Sequence, residues 1–278
     1  MININDENKN TNQAQGPEPT PIQITQAVEI QEVNRLNFAA RILSLFMSPG
    51  KLMANIRAYP LILQPLAMVI LISILSLPIA TQYVEIVSEQ LSILSIEHFG
   101  VDYFDMLNIA QDTAAMPDAV LTAANVISVI SVVAGVIIMM LLSTLGLFII
   151  AKIAKSPQTF THYFSMFAHL SILSTLGVLA VATIGVAIDT WVDVTSLAAI
   201  LMPGGDVTQM LYNVLASINL FGLWVAILVI IGLKELNEWT YTRAIVAGTI
   251  FYALSVAISA VIMWWSFAML NILATQFQ

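Results

Sequence analysis

The chain contains no cysteine, so it has no disulfide framework, no thiolate nucleophile and no Cys-ligated zinc. Charge is scarce as well: Asp, Glu, Lys and Arg make up 9% of the 278 residues, against about 25% in soluble domains. Positive charge is the scarcer sign, nine Lys and Arg against seventeen Asp and Glu, for a net charge of -8. A general nucleic-acid binder needs basic patches to neutralise phosphates, so no nucleic-acid partner is expected. What fills the chain instead is apolar: 59% hydrophobic residues and a mean hydropathy of +0.88, above the usual level of about 45–50%. An ordinary soluble domain is excluded, and an all-α polytopic integral membrane protein remains.

Residues 1–34 are rich in Asn, Gln, Glu, Thr and Pro. They carry too few large apolar groups to offset the entropy of ordering, which predicts a disordered polar tail. No basic stretch followed by a short apolar core stands at Met1, so the first span is expected to act as an uncleaved signal anchor. Residues 35–59 read as an amphipathic lead-in segment, with Leu36, Phe38, Ile42, Leu45 and Phe46 alternating with Arg35, Asn37, Arg41 and Ser44. Two short helices near the membrane surface are predicted there, the second starting at Ser48-Pro49. Arg41, Lys51 and Arg57 are then candidates for binding anionic lipid headgroups, at about 1 kcal/mol each.

Five later segments, at approximately 61–83, 122–150, 165–188, 210–233 and 244–267, have the apolar length to cross a membrane, a need of roughly 20 residues. Each must be helical, because a single span in lipid satisfies its own backbone hydrogen bonds. Acidic loops are expected at 84–121 and 189–209, with short loops at 152–159 and 234–243. Lys9, Arg35, Arg41, Lys51 and Arg57 precede the first span, Lys152 and Lys155 follow the second, and Lys234 and Arg243 bracket the last loop, which accounts for every basic residue. All fall on one side of the predicted topology, and Glu85, Glu89, Asp189 and Asp193 fall on the other. The positive-inside rule therefore places the N-terminus in the cytoplasm and the C-terminus on the far side.

Helices associate in lipid through close backbone approach, so small residues four apart mark packing faces. Ser131 with Gly135, Gly222 with Ala226, Ala244 with Gly248, and Ser255 with Ser259 fit that spacing. The competing reading of the same pairs is a homo-oligomer face. Asn125 and Asn219 read as interhelical hydrogen-bonding amides. His162 and His169, seven apart, share a helix face at the cytoplasmic start of the third span, where interfacial hydrogen bonding outweighs metal or proton binding. Asp189 with Asp193 and Glu85 with Glu89 read as solvated acidic faces rather than cation sites. Pro203-Gly204-Gly205-Asp206 is a turn between helices. Trp191, Trp239, Trp264 and Trp265 fit anchoring at the two interfaces. No nucleophile elbow, zinc-protease helix or phosphate loop appears, so no catalytic residue, metal or cofactor is expected.

Three stretches together resemble a known family. Phe46-Met47-Ser48-Pro49 followed by Tyr59-Pro60 and a span is similar to the start of the Yip (Ypt-interacting protein) membrane domain, in its prokaryotic form. Phe160-Thr161-His162-Tyr163-Phe164-Ser165-Met166-Phe167-Ala168 resembles the short loop leading into its third span. Ser217-Ile218-Asn219-Leu220-Phe221-Gly222-Leu223-Trp224, with Ile231-Gly232-Leu233 and Thr242-Arg243-Ala244, resembles its fourth span and the loop after it. The likeness covers about residues 35–270. It implies five spans with a cytoplasmic N-terminus, in a prokaryotic cytoplasmic (inner) membrane. Eukaryotic relatives associate with Rab-type GTPases through Asp-Leu-Tyr and Gly-Tyr type motifs, which this chain lacks in the corresponding part, so no GTPase-binding residue carries over.

The expected function is a non-enzymatic membrane scaffold or adaptor. Its partners are membrane lipids at the lead-in segment and a protein at the cytoplasmic tail. The alternative is a small transporter or channel, or a membrane subunit of a transport complex, with Asn125, Asn219 and the small residues lining a polar path. A lipid-directed enzyme would have only His162 and His169 to work with.

Overall fold

The computed structural model describes residues 35–99, 118–203, 205 and 208–274. The tail expected over 1–34, the centre of the first acidic loop and the last four residues lie outside these. The helices are α1 (Phe38–Met47), α2 (Pro49–Ala58), α3 (Leu63–Leu75), α4 (Leu77–Phe99), α5 (Asp118–Ile153), α6 (Phe160–Ile188), α7 (Leu197–Leu201), α8 (Met210–Ala216), α9 (Leu220–Asn237) and α10 (Tyr241–Ala274). Among the described residues there is no strand; one antiparallel bridge joins Ser196 to Asn219. Four helical stretches, Val129–Ile153, Phe160–Ile188, Leu220–Asn237 and Tyr241–Ser266, are long and apolar enough to cross a membrane, and the bent pair α3–α4 counted as one broken span makes five. The protein is an all-α integral membrane protein.

Three boundaries differ from the sequence expectation, each for a local reason. The first span is bent by 57° between Leu75 and Leu77. Pro78 has no N–H to give and its ring crowds the carbonyl four residues earlier, so the helix cannot run straight through. Most of the near half of the expected acidic loop is helix, because α4 continues to Phe99. The fourth span begins at Leu220 rather than near residue 210. The chain breaks at Ser217 to Asn219, where the Asn219 side chain accepts from Gly222 N–H at 2.8 Å and caps α9. Asn219 is thus a helix cap rather than an interhelical amide. At the start of α2, Pro49 opens the helix as predicted, but the Ser48 hydroxyl makes no capping bond.

The core gathers one face from most elements. Leu45 of α1, with Leu52, Met53 and Ile56 of α2, packs with Tyr163, Met166 and Leu170 of α6 and Leu233 and Leu236 of α9. Ala244 is fully buried, and a Cβ on Gly248 would lie 2.5 Å from Ile230 Cγ1, so α10 approaches α9 closely at Gly248. Gly177 makes another close approach, since a Cβ there would lie 2.6 Å from Phe221 Cγ.

Lys155, Asp189 and Glu238, just past the ends of α5, α6 and α9, have left-handed backbone conformations (φ 56, 53 and 54) that glycine adopts without cost. Asp189 also sets a negative charge at the C-terminal end of α6, against the helix dipole. Asp189→Gly is therefore expected to stabilise the protein by about 0.5–1 kcal/mol, read as a rise in thermal midpoint in detergent. A fall would mean that the aspartate contributes more there than the strain costs.

Candidate functional site

One end of the helical domain collects the basic residues. Arg57 of α2 donates to the Glu235 carbonyl at 3.2 Å and pairs with the Glu238 carboxylate at 2.5 Å. Gln158, before α6, donates to the Leu236 carbonyl at 2.7 Å, and Arg243 of α10 donates to the Ala154 carbonyl. The lead-in segment, the α5–α6 turn and the α9–α10 turn therefore share one end, as the charge pattern predicts. Lys152, Lys234 and Arg243 lie over the rings of Phe148, Tyr241 and Trp239, at 5.3, 4.7 and 4.5 Å from the centroids. Trp239 is buried under Arg243 and is not a membrane anchor, whereas Trp264 and Trp265 are exposed.

The three predicted headgroup residues are not equivalent. Lys51 is exposed on α2. Arg57 is committed to Glu235 and Glu238. Arg41 is only 1% exposed, so the headgroup role expected of it does not match its position: it faces inward. Its Nη2 donates to the Tyr59 carbonyl at 2.9 Å and its Nε to the Leu36 carbonyl at 3.4 Å, so it ties both ends of the lead-in segment together. Burial, with the nearby charge of Arg35, pulls the guanidinium below the usual arginine pKa.

Beneath Arg41 lies a buried polar group on α6. Ser165 Oγ accepts from Leu61 N–H at 2.9 Å and donates to the Leu61 carbonyl at 2.8 Å, which pins the start of the first span to α6. His169 is fully buried, with Nδ1 at 2.7 Å from the Ser165 carbonyl. A carbonyl only accepts, so Nδ1 carries the proton and, in the neutral ring, Nε2 keeps a lone pair. His162 instead bonds Thr159 Oγ1 at 2.9 Å near the helix start, so the two histidines do not act as one site. A second buried group joins Ser156, Tyr163 and Asn237. Tyr163 and Ser156 hydroxyls reach Asn237 Oδ1 at 2.9 and 2.5 Å, and Asn237 Nδ2 donates to the Leu233 carbonyl at 2.8 Å.

Of the remaining small-residue candidates, Ser131 and Gly135 are exposed, and a Cβ on Gly135 would meet nothing within 4 Å among the described residues. Gly135, Gly222 and Ala226 line a cavity of about 770 Å³ instead. Asp193 accepts from the Thr195 N–H and hydroxyl at 2.8 and 2.6 Å in a local turn. Among the described residues no cluster of His, Asp or Glu has the arrangement of a metal site. Asn125 and Asp206 lie where side chains are not described.

This end and these helices define the class: an integral membrane protein whose lead-in helices are docked onto the basic end of its helical domain. Comparison with family models, curated proteins and solved structures finds no match to the chain.

Proposed function

We propose that the protein is a non-enzymatic membrane scaffold of the Yip type, in a prokaryotic cytoplasmic membrane. In this reading its basic end faces the cytoplasm, α1 lies in the lipid surface, and residues 1–34 engage a protein partner. The observation that carries it is the orientation of α1. Arg41, Ser44 and Leu45 face the protein, while Leu43, Phe46 and Met47 stand outward at 59%, 40% and 73% exposure, with Lys51 exposed on the next helix. An outward apolar face beside a basic residue suits an in-plane helix sunk to the headgroup boundary. The uncharged wall of the central cavity favours a scaffold over an ion conduit, since ionisable groups mark most ion pathways.

In-cell photo-crosslinking tests the assignment, with probes at single positions from 20 to 57. Probes at Leu43 and Met47 are expected to label lipid, and probes before residue 34 to capture one dominant protein. Lys51→Gln is expected to weaken labelling by anionic lipid at low salt and to leave the protein capture intact. Aqueous labelling at positions 43 and 47 removes the in-plane helix, and the absence of a dominant partner removes the adaptor.

A further inference from the structure

The cavity between α3, α4, α5, α6, α9 and α10 has the volume of a small-molecule pocket, which runs to about 300–1,000 Å³. Both breaks in the apolar helices border it, at Ser76 and at Ser217. Interrupted helices at membrane depth are tolerated where they line a cavity, and sites concentrate there. No Asp, Glu, Lys, Arg or His is among its lining residues. An ionic ligand would therefore lie in a low-dielectric space with no opposite charge to meet it.

Five of the hydroxyl groups on its walls have a defined hydrogen-bonding sense. Ser73, Ser76, Thr175, Ser217 and Ser255 each donate their hydroxyl proton to a carbonyl of their own or the preceding turn, at 2.8–2.9 Å. What they leave open is oxygen lone pairs. Tyr252 also lines the cavity, and its buried hydroxyl has no partner among the described residues; it lies 3.9 Å from where a Cβ on Gly222 would be. A pure hydrocarbon would leave that hydroxyl unsatisfied, whereas an uncharged alcohol accepts from Tyr252 and donates to a serine.

The source of the ligand follows from the residues the cavity shares with the outside of the protein. Val132, Met139 and Val178 line it and are 37%, 62% and 70% exposed on spanning helices. These are apolar positions at membrane depth, so the space communicates with hydrocarbon. We propose that the cavity binds a neutral, hydroxyl-bearing membrane lipid of the diacylglycerol type, taken sideways from the bilayer. Its hydroxyl pairs with Tyr252 and its chain lies along the α5 stripe of Val132, Val136, Met139 and Met140, which recurs at helical spacing.

The full-length protein in nanodiscs, labelled with a diacylglycerol carrying a photoreactive acyl chain, provides the test. Labelled peptides are expected to map to the lining residues of α5, α6 and α10, and unlabelled diacylglycerol to compete. Gly135→Phe fills the space from a position where a side chain meets no neighbour, and is expected to cut labelling by about tenfold or more. Ala226→Phe narrows the same space from α9 and keeps the test valid if the first variant folds poorly, as judged by its melting temperature. Tyr252→Phe is expected to erase a preference of about tenfold for the alcohol over its methyl ether. Labelling scattered over outward-facing residues and unchanged by both filling variants overturns the site. Equal labelling of the cavity by a phosphatidic acid probe overturns the neutral head, and an unchanged alcohol preference in Tyr252→Phe overturns the role of that hydroxyl. A cavity that excludes the probe yet admits a small neutral solute overturns the lipid.

Discussion

Arg41→Ala is expected to destabilise the protein by about 3 kcal/mol, because it strips a buried side chain of its packing and leaves two carbonyl groups without their donor. At about 2–4 °C per kcal/mol for a chain of this order of size, the thermal midpoint in detergent falls by about 6–12 °C. Arg41→Met separates the contributions. The methionine keeps most of the stem's volume and removes a charge that has no carboxylate partner among the described residues, so its loss is expected to be less than half that of alanine. Hydrogen exchange should localise the effect: amides of α1 lose protection in both variants, while those of α10 keep theirs. A thermal midpoint unchanged in Arg41→Ala would show that the lead-in segment is held by its apolar contacts alone.

The position of Arg41 also shows where sequence reasoning stops. The alternation of polar and apolar residues over 35–47 identifies an amphipathic helix, and α1 is one. Which face turns inward does not follow from the pattern: Arg41 and Ser44 turn to the protein together with Leu45, while Leu43, Phe46 and Met47 stand outward, the reverse of what a purely soluble surface would favour. The spans show the same ambiguity. Small residues four apart are visible in sequence, but in lipid every face of a span is apolar. The pattern alone cannot separate Gly248, which meets Ile230, from Gly135, which meets open space.

Charge was more legible than packing. Every described basic residue from residue 57 onward falls at the end where α2 meets the turns before α6 and α10, because charged groups cannot sit at membrane depth at small cost. The break before α9 had a readable signal in Asn219, a favoured capping residue. It was masked because the apolar run continues on both sides of it. The cavity had none: its walls come from six helices, and nothing in one helix's sequence states which of its faces another helix leaves uncovered.

Asn237→Leu should approach the cost of losing Arg41, at about 3 kcal/mol, for a different reason. Ser156 and Tyr163 have one hydroxyl proton each, and Asn237 Oδ1 receives both, while the two hydroxyl oxygens are themselves 2.8 Å apart. Leucine at 237 keeps the number and branching of the side-chain heavy atoms. One hydroxyl then donates to the other and the second proton has no acceptor in a buried site. Tyr163→Phe removes one of the two donors and leaves Ser156 its acceptor, so its cost is only about 1 kcal/mol. Removing both hydroxyls discriminates between a hydrogen-bonding role and simple packing. If the amide acts as the shared acceptor, Asn237→Leu costs less in a chain that already carries Ser156→Ala and Tyr163→Phe, because no hydroxyl proton is left to orphan, and the effects fall short of additivity by about 1–2 kcal/mol. Additive losses would mean that Asn237 acts through its bond to the Leu233 carbonyl, and that the turns at the basic end are joined by their other hydrogen bonds and packing rather than by this acceptor.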